Sequence, residues 1–86
     1  MKCVEFEVLQ RYGSPTVYFC EHNMKHSCLI ALPSLNWSFL MDYAIDFNGE
    51  KPMLIKALST FVSEHDLENI ADVFYDFVFN EYGSGV

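Results

Sequence analysis

The segment Cys20-Glu21-His22-Asn23-Met24-Lys25-His26-Ser27-Cys28 spaces two thiols and two imidazoles as C-x-H-x3-H-x-C. Two thiolates and two imidazoles are a common tetrahedral zinc set. On a hairpin with a three-residue loop, His22 would pair across from His26 and Cys20 from Cys28. All four side chains would then share one face, because residues two apart on a strand point the same way. With every coordination position filled by protein, such a metal would be structural. A four-residue loop slips the register and disperses the set, leaving Cys20 and Cys28 as small apolar fillers and the histidines as polar residues of the hairpin end. The expected state has no cofactor, with structural zinc on Cys20, His22, His26 and Cys28 as the alternative.

A second pattern is electrostatic. Residues 57–86 carry Glu64, Asp66, Glu68, Asp72, Asp76 and Glu81 with no lysine or arginine, so nearly all of the net charge of -7 lies in one terminal segment. A concentrated charge produces a local field that can steer a partner of opposite sign. On a helix, Glu68, Asp72 and Asp76 repeat every four residues and form a column with about 6 Å between successive positions. Tyr75 and Phe79 border that column. Like charges at this spacing destabilise an isolated helix, and no basic residue is expected to be placed to relieve them. The column reads either as a surface for a lysine- and arginine-lined partner, with Tyr75 and Phe79 as apolar anchors, or as a solvated face that keeps the protein soluble.

Catalytic signatures are missing from the chain. It has no glycine-rich phosphate loop, Gly-x-Ser-x-Gly elbow or His-Glu-x-x-His helix. His65 lies between Glu64 and Asp66, but adjacent helical residues do not face each other, so no base and orienter pair follows. An enzyme is not expected. Direct nucleic-acid binding needs clustered cations, whereas Lys2, Arg11, Lys25, Lys51 and Lys56 are scattered. The expected partner is a basic protein surface, one that itself handles nucleic acid, with carboxylates standing in for phosphates.

These residues must be positioned by a small fold. Val4, Phe6 and Val8 alternate with Cys3, Glu5 and Glu7, which predicts a strand over Lys2 to Leu9. Turn chemistry at Tyr12-Gly13-Ser14-Pro15 leads to a second strand over Thr16 to His22, and Cys28 to Leu32 reads as a buried third strand ended by Pro33. From Ser34 the period changes: Trp37, Leu40, Met41, Ala44 and Ile45 have helical spacing, with Ser34 or Asn36 as cap. That helix would place Asp42 and Asp46 on one side, beside Phe39 and Tyr43, and could widen the acidic surface. Alternatively, Tyr43 to Phe47 alternates as a strand and Asn48-Gly49 is a hairpin turn.

Pro52 suits the first position of the next helix, followed by Met53, Leu54, Ala57, Leu58, Phe61 and Val62 on one side. Ser63-Glu64-His65-Asp66 has the capping pattern that opens a last helix, from Glu64 or Leu67 to about Tyr82. Its core stripe is Leu67, Ile70, Ala71, Phe74, Phe77 and Val78.

The predicted class is α+β: a three-stranded antiparallel meander (1–33), then two to three helices (34–82) packed on one face of the sheet, and a frayed tail at 83–86. Eighty-six residues with 51% hydrophobic and 16% aromatic content form a single domain with a dense core. Glu5 and Glu7 interrupt any signal-peptide core, and no apolar run reaches the roughly 18 residues of a membrane span, so a cytoplasmic protein with reduced thiols is expected.

A compact, acidic, aromatic-rich domain carrying the Glu68, Asp72, Asp76 column resembles the small phage-encoded inhibitors of bacterial defence, anti-CRISPR proteins among them. The resemblance lies in general character, with no family motif. It implies an inhibitor that blocks a nucleic-acid-handling protein, such as a CRISPR effector or other defence nuclease, by steric and electrostatic means in the cytoplasm of a bacterial host. An immunity protein or antitoxin against a nuclease toxin would use the same surface, and a zinc-stabilised assembly module is the reading from a different class.

Overall fold

The computed structural model describes residues 1–22, 27–42 and 47–83. Its described strands are β1 (Lys2–Val4), β2 (Val17–His22), β3 (Ser27–Leu32) and β4 (Trp37–Asp42), and its α-helices are α1 (Phe47–Leu58) and α2 (Leu67–Val78). The strands form an antiparallel meander in the order β1-β2-β3-β4. The α+β class holds, with one strand more than the sequence predicts.

The extra strand replaces the first predicted helix. Trp37 and Met41 are buried and Phe39 is partly buried, so these three face the core at strand period, while Ser38 and Leu40 point the other way. Leu40 is apolar yet 61% exposed, and this one outward leucine gives the segment its helical spacing. Asn36 makes the change of direction after the Pro33–Leu35 turn, taking a left-handed φ of 52° that asparagine tolerates better than most residues.

The first predicted strand is cut short in the structure. β1 pairs with β2 only from Lys2 to Val4, and the chain then enters a 3-10 helix at Glu7–Tyr12. That turn buries Leu9 completely and closes at Gly13, whose φ of 88° strains any residue with a Cβ. α1 begins five residues before the expected Pro52, with Asn48-Gly49 inside the helix and not in a hairpin turn. Glu50, 5% exposed, secures this start by accepting a 2.7 Å hydrogen bond from the backbone N–H of Asp42. Leu54 and Leu58 continue the buried stripe at four-residue steps, while Met53, expected in the core, is exposed.

α2 supplies the largest part of the helical core. Ile70, Ala71, Phe74 and Val78 are fully buried, and Leu67 and Phe77 partly so, as their spacing predicts. Phe74 lies 5.8 Å from Phe6, 6.2 Å from Phe19 and 6.4 Å from Trp37, ring centre to ring centre. Phe77 lies tilted by 32° against Phe19, ring centres 4.4 Å apart, and meets Phe6 edge-on at 5.8 Å. Trp37 also donates from Nε1 to the Ala57 carbonyl at 2.8 Å, tying β4 to the end of α1.

Both helices therefore cover the same face of the sheet. Phe74→Ala is expected to cost about 3 to 5 kcal/mol in chemical denaturation, whereas Phe79→Ala, on the exposed side of the same helical segment, should stay within about 0.5 kcal/mol. Equal losses would mean that the helix is rotated relative to this packing.

Candidate functional site

α2 brings Glu68, Asp72 and Asp76 to one side, away from its core stripe, with half-buried Tyr75 at the edge of that side and Phe79 at the start of the π-helical turn Phe79–Gly83 that follows. Tyr75 and Phe79 stack at 5.9 Å between ring centres with 21° between planes, and Phe79 is 47% exposed. The repulsion between the first two acids is relieved from another element. Lys51 of α1 places Nζ 3.3 Å from Glu68 and 3.2 Å from Asp72. Asp72 and then Glu68, through their hydrogen bonds, hold the Lys51 ammonium above its usual range, against a partial desolvation that works the other way. Among the described residues no ion pair reaches Asp76, so the uncompensated end of the column coincides with the aromatic pair.

Other acids of the same segment are held by bases from the N-terminal part. Glu81 pairs with Lys2 at 3.3 Å, and Asp66 pairs with Arg11 at 2.9 Å. Asp66 also accepts hydrogen bonds from the Tyr12 hydroxyl at 2.7 Å and the Ser63 hydroxyl at 3.2 Å. It stands at the head of α2 but makes no side-chain cap; its carboxylate instead fastens the 3-10 helix to the loop before α2. The Tyr12 hydroxyl, followed by Ser63 and Arg11, holds the Asp66 carboxyl below its ordinary range.

The helix that could have added Asp42 to this surface is a strand instead. Asp42 ends strand β4, and Asp46 lies outside the described residues. Of the two hairpin registers weighed from the sequence, the structure has the one that does not gather the zinc set. His22 pairs with Ser27, Glu21 with Cys28 and Cys20 with Leu29, so the loop has four residues and the register is the slipped one. Cys20 is exposed on one face of the sheet and Cys28 is buried on the other, while His26 lies outside the described residues. Among the described residues, no group of three His, Cys, Asp or Glu side chains could hold a metal ion. Burial pushes the Cys28 thiol up to about 12, which makes it a filler of the core.

A surface that sequence reasoning missed lies on the uncovered side of the sheet. By register, Cys3, Tyr18, Cys20, Leu29, Ala31, Ser38 and Leu40 all point away from the helices. Sheets with one solvated face normally alternate apolar-in with polar-out, yet here Leu40 is 61% and Leu29 41% exposed. Met1, Tyr18, Cys20, Leu29, Ala31 and Pro33 line a shallow apolar hollow of about 310 Å³ on this side. Among the described outward side chains of the strands, Asp42 at the sheet's end is the only one charged at neutral pH. The available signal was that Leu29 and Leu40, and Cys20 and Tyr18, break a polar alternation. Among the described residues, no helix is long and apolar enough to cross a membrane.

Two outcomes follow. Because the Asp66 pKa is lowered on folding, its contribution to stability is present above the unfolded carboxylate range, near 3.8, and is lost as pH falls through the lower folded value. Thermal melts of Asp66→Asn should lie below those of the wild type at neutral pH and converge with them in strong acid; a gap independent of pH would contradict this ion-pair role. In alkylation followed by mass spectrometry, Cys3 and Cys20 should react in the native protein and Cys28 only after unfolding.

No curated protein and no solved structure matches the chain. The model of the family described as YueH-like protein matches residues 9–80, from the 3-10 helix through α2 and including the outward residues of β2, β3 and β4. This covers well over half of its length, and the chain belongs to the YueH-like family.

Proposed function

We propose that this domain is a non-catalytic protein-binding module that engages a basic partner through the outer face of α2. The observation that carries this reading is the exposed Phe79 ring stacked on the half-buried Tyr75 beside Asp76, where the acidic column has no ion pair among the described residues. Aromatic anchors bordered by charge are a common composition of binding hot spots. Lys51 already engages Glu68 and Asp72, so a partner's cations find their best position at Asp76, and the contact is centred on Tyr75, Asp76 and Phe79. The net charge of -7 steers such a partner from a distance.

Surfaces rich in lysine and arginine are characteristic of proteins that handle nucleic acid, because neutralising phosphates requires them. A nucleic-acid-handling protein is therefore the partner class, and the domain acts by occupying its basic surface, as an inhibitor of a defence nuclease or as an immunity protein would. The bacterial cytoplasm is the compartment that this reading requires.

Affinity capture from a bacterial lysate, eluted along a salt gradient, tests the reading. The wild type should retain a basic nucleic-acid-binding protein that leaves as salt rises. Asp76→Lys and Phe79→Ala, both on exposed positions, should lose it while their circular dichroism spectra stay unchanged. Equal retention by both variants, or capture limited to acidic and neutral proteins, would count against an electrostatic contact at α2.

A further inference from the structure

The open face of the sheet is distinct from the acidic face of α2, because both helices pack on the opposite side. Ser38, Asp42 and the buried Ser27 lie on it by register, but Leu29, Ala31, Leu40, Cys20 and Tyr18 present apolar surface at positions where water-facing strands are ordinarily polar. The geometry points to a second copy of this chain as its occupant: two molecules pack sheet to sheet about a two-fold axis, in a weak and reversible homodimer.

Charge selects this occupant and this face. Two copies at -7 repel over most of their surfaces, but the outward side chains of β2, β3 and β4 include only one charged at neutral pH, Asp42 at the rim, among those described. Face-to-face sheets sit about 10 Å apart, and each acidic α2 face is a further helix layer of about 10 Å beyond its own sheet. The two acidic faces thus stand about 30 Å or more apart, several times the Debye length of ~8 Å at physiological salt, and contribute little repulsion. Among the described outward side chains a basic partner finds counter-charge only at Asp42 on the rim, so the partner suited to α2 is poorly suited to the middle of this face.

Shape points the same way. A two-fold contact requires a self-complementary patch. Leu40 of β4 stands out on one side of the face, and the hollow lined by Tyr18, Cys20, Ala31 and Pro33 lies on the other, with Leu29 between them as the register partner of Leu40. A two-fold axis through this region sets the Leu40 of each copy over the hollow of the other.

Size sets the strength. Three six-residue strands and the three-residue β1, spaced about 4.8 Å with about 3.4 Å per residue, span roughly 340 Å² in projection, well short of the ~800 Å² per partner of a standard stable interface. A dissociation constant on the order of 10 to 100 μM is the corresponding expectation. The product presents two acidic α2 faces on opposite outer sides.

Sedimentation velocity over about 5 μM to 1 mM, combined with the alkylation rate of Cys20, tests this. The wild type should shift from monomer to dimer across that range, and Cys20 alkylation should slow at least about threefold at the top of it, with buried Cys28 as an unreactive internal reference. Leu40→Asp, and independently Ser38→Arg at an exposed position of the same face, should weaken association about tenfold or more and restore Cys20 reactivity. A dimer that leaves Cys20 reactive and ignores both substitutions would use another surface and overturn the inference.

A chain that stays monomeric at about 1 mM would overturn it too. In that case fast Cys20 alkylation would leave the face open for a different protein, whereas a protected Cys20 in the monomer would show that the face is not open at all. Neither result bears on the capture experiment at Asp76 and Phe79.

Discussion

Helix α2 is held against the sheet by aromatic packing, and the placement of both candidate surfaces follows from that contact. Phe74 sits among Phe6, Phe19 and Trp37, and Phe77 lies on Phe19. Offset and edge-on ring contacts add stabilisation beyond area burial, so a few large side chains give a short chain an adequate core. Once Phe74 and Val78 face inward, the helical period turns Asp72 and Asp76 outward. Once the helices occupy one side of the sheet, Leu29 and Leu40 are left on the other.

Ion pairing between the two parts of the chain modifies the field that composition alone suggests. The acid-rich C-terminal segment has no base of its own, but Lys2, Arg11 and Lys51 reach Glu81, Asp66, and Glu68 with Asp72, respectively. These pairs are largely exposed, and pairs of that kind add little to stability. Their larger effect is on distribution: much of the column is locally balanced, and the excess charge is concentrated toward Asp76. A basic partner would therefore meet a graded surface, partly neutral at Glu68 and acidic at the aromatic pair. This gradient depends on a lysine 21 residues before Asp72 in sequence, and periodicity within α2 could not reveal it.

How far the fold was legible depended on whether one local pattern could settle each element. The last helix was legible in its core stripe, since Ile70, Ala71, Phe74 and Val78 satisfy a helical period and no other, but not in its end at Val78, where the chain passes into the π-helical turn Phe79–Gly83. β2 was legible because β-branched and aromatic residues follow a turn signal, and β3 because a short apolar run, Cys28 to Leu32, ends at Pro33. β4 was not, since Leu40 on the outward side converts an alternating strand into an apparent helical stripe. β1 was overextended for a different reason: Val8 continues the alternation into residues that leave the sheet after Val4. The hairpin register was open in the sequence and was decided by which thiol the core takes. Burying Cys28 beside Ile30 and Leu32 puts Glu21, not Cys20, opposite it, and the proposed ligand set is dispersed.

The residue that concealed β4 is also the one that marks the open face. An outward leucine on a sheet is neutral or unfavourable for a solitary domain, because burying an apolar side chain is worth about 1.5 to 3 kcal/mol and exposure forgoes that gain. Leu29 beside it incurs the same loss, and the hollow between Tyr18, Cys20 and Ala31 adds apolar surface without adding core. The helices pack on the inward residues, among them Val17, Phe19, Ile30, Leu32, Trp37 and Met41, and the outward ones take no part in that contact. They are accounted for by a contact that forms after folding. An extended apolar sheet face also invites non-specific association, and the high net negative charge restrains that, since only approaches that keep the acidic helical faces apart bring two such sheets together. The charge and the apolar face are thus parts of one arrangement, in which repulsion over most of the molecule restricts contact to a single orientation.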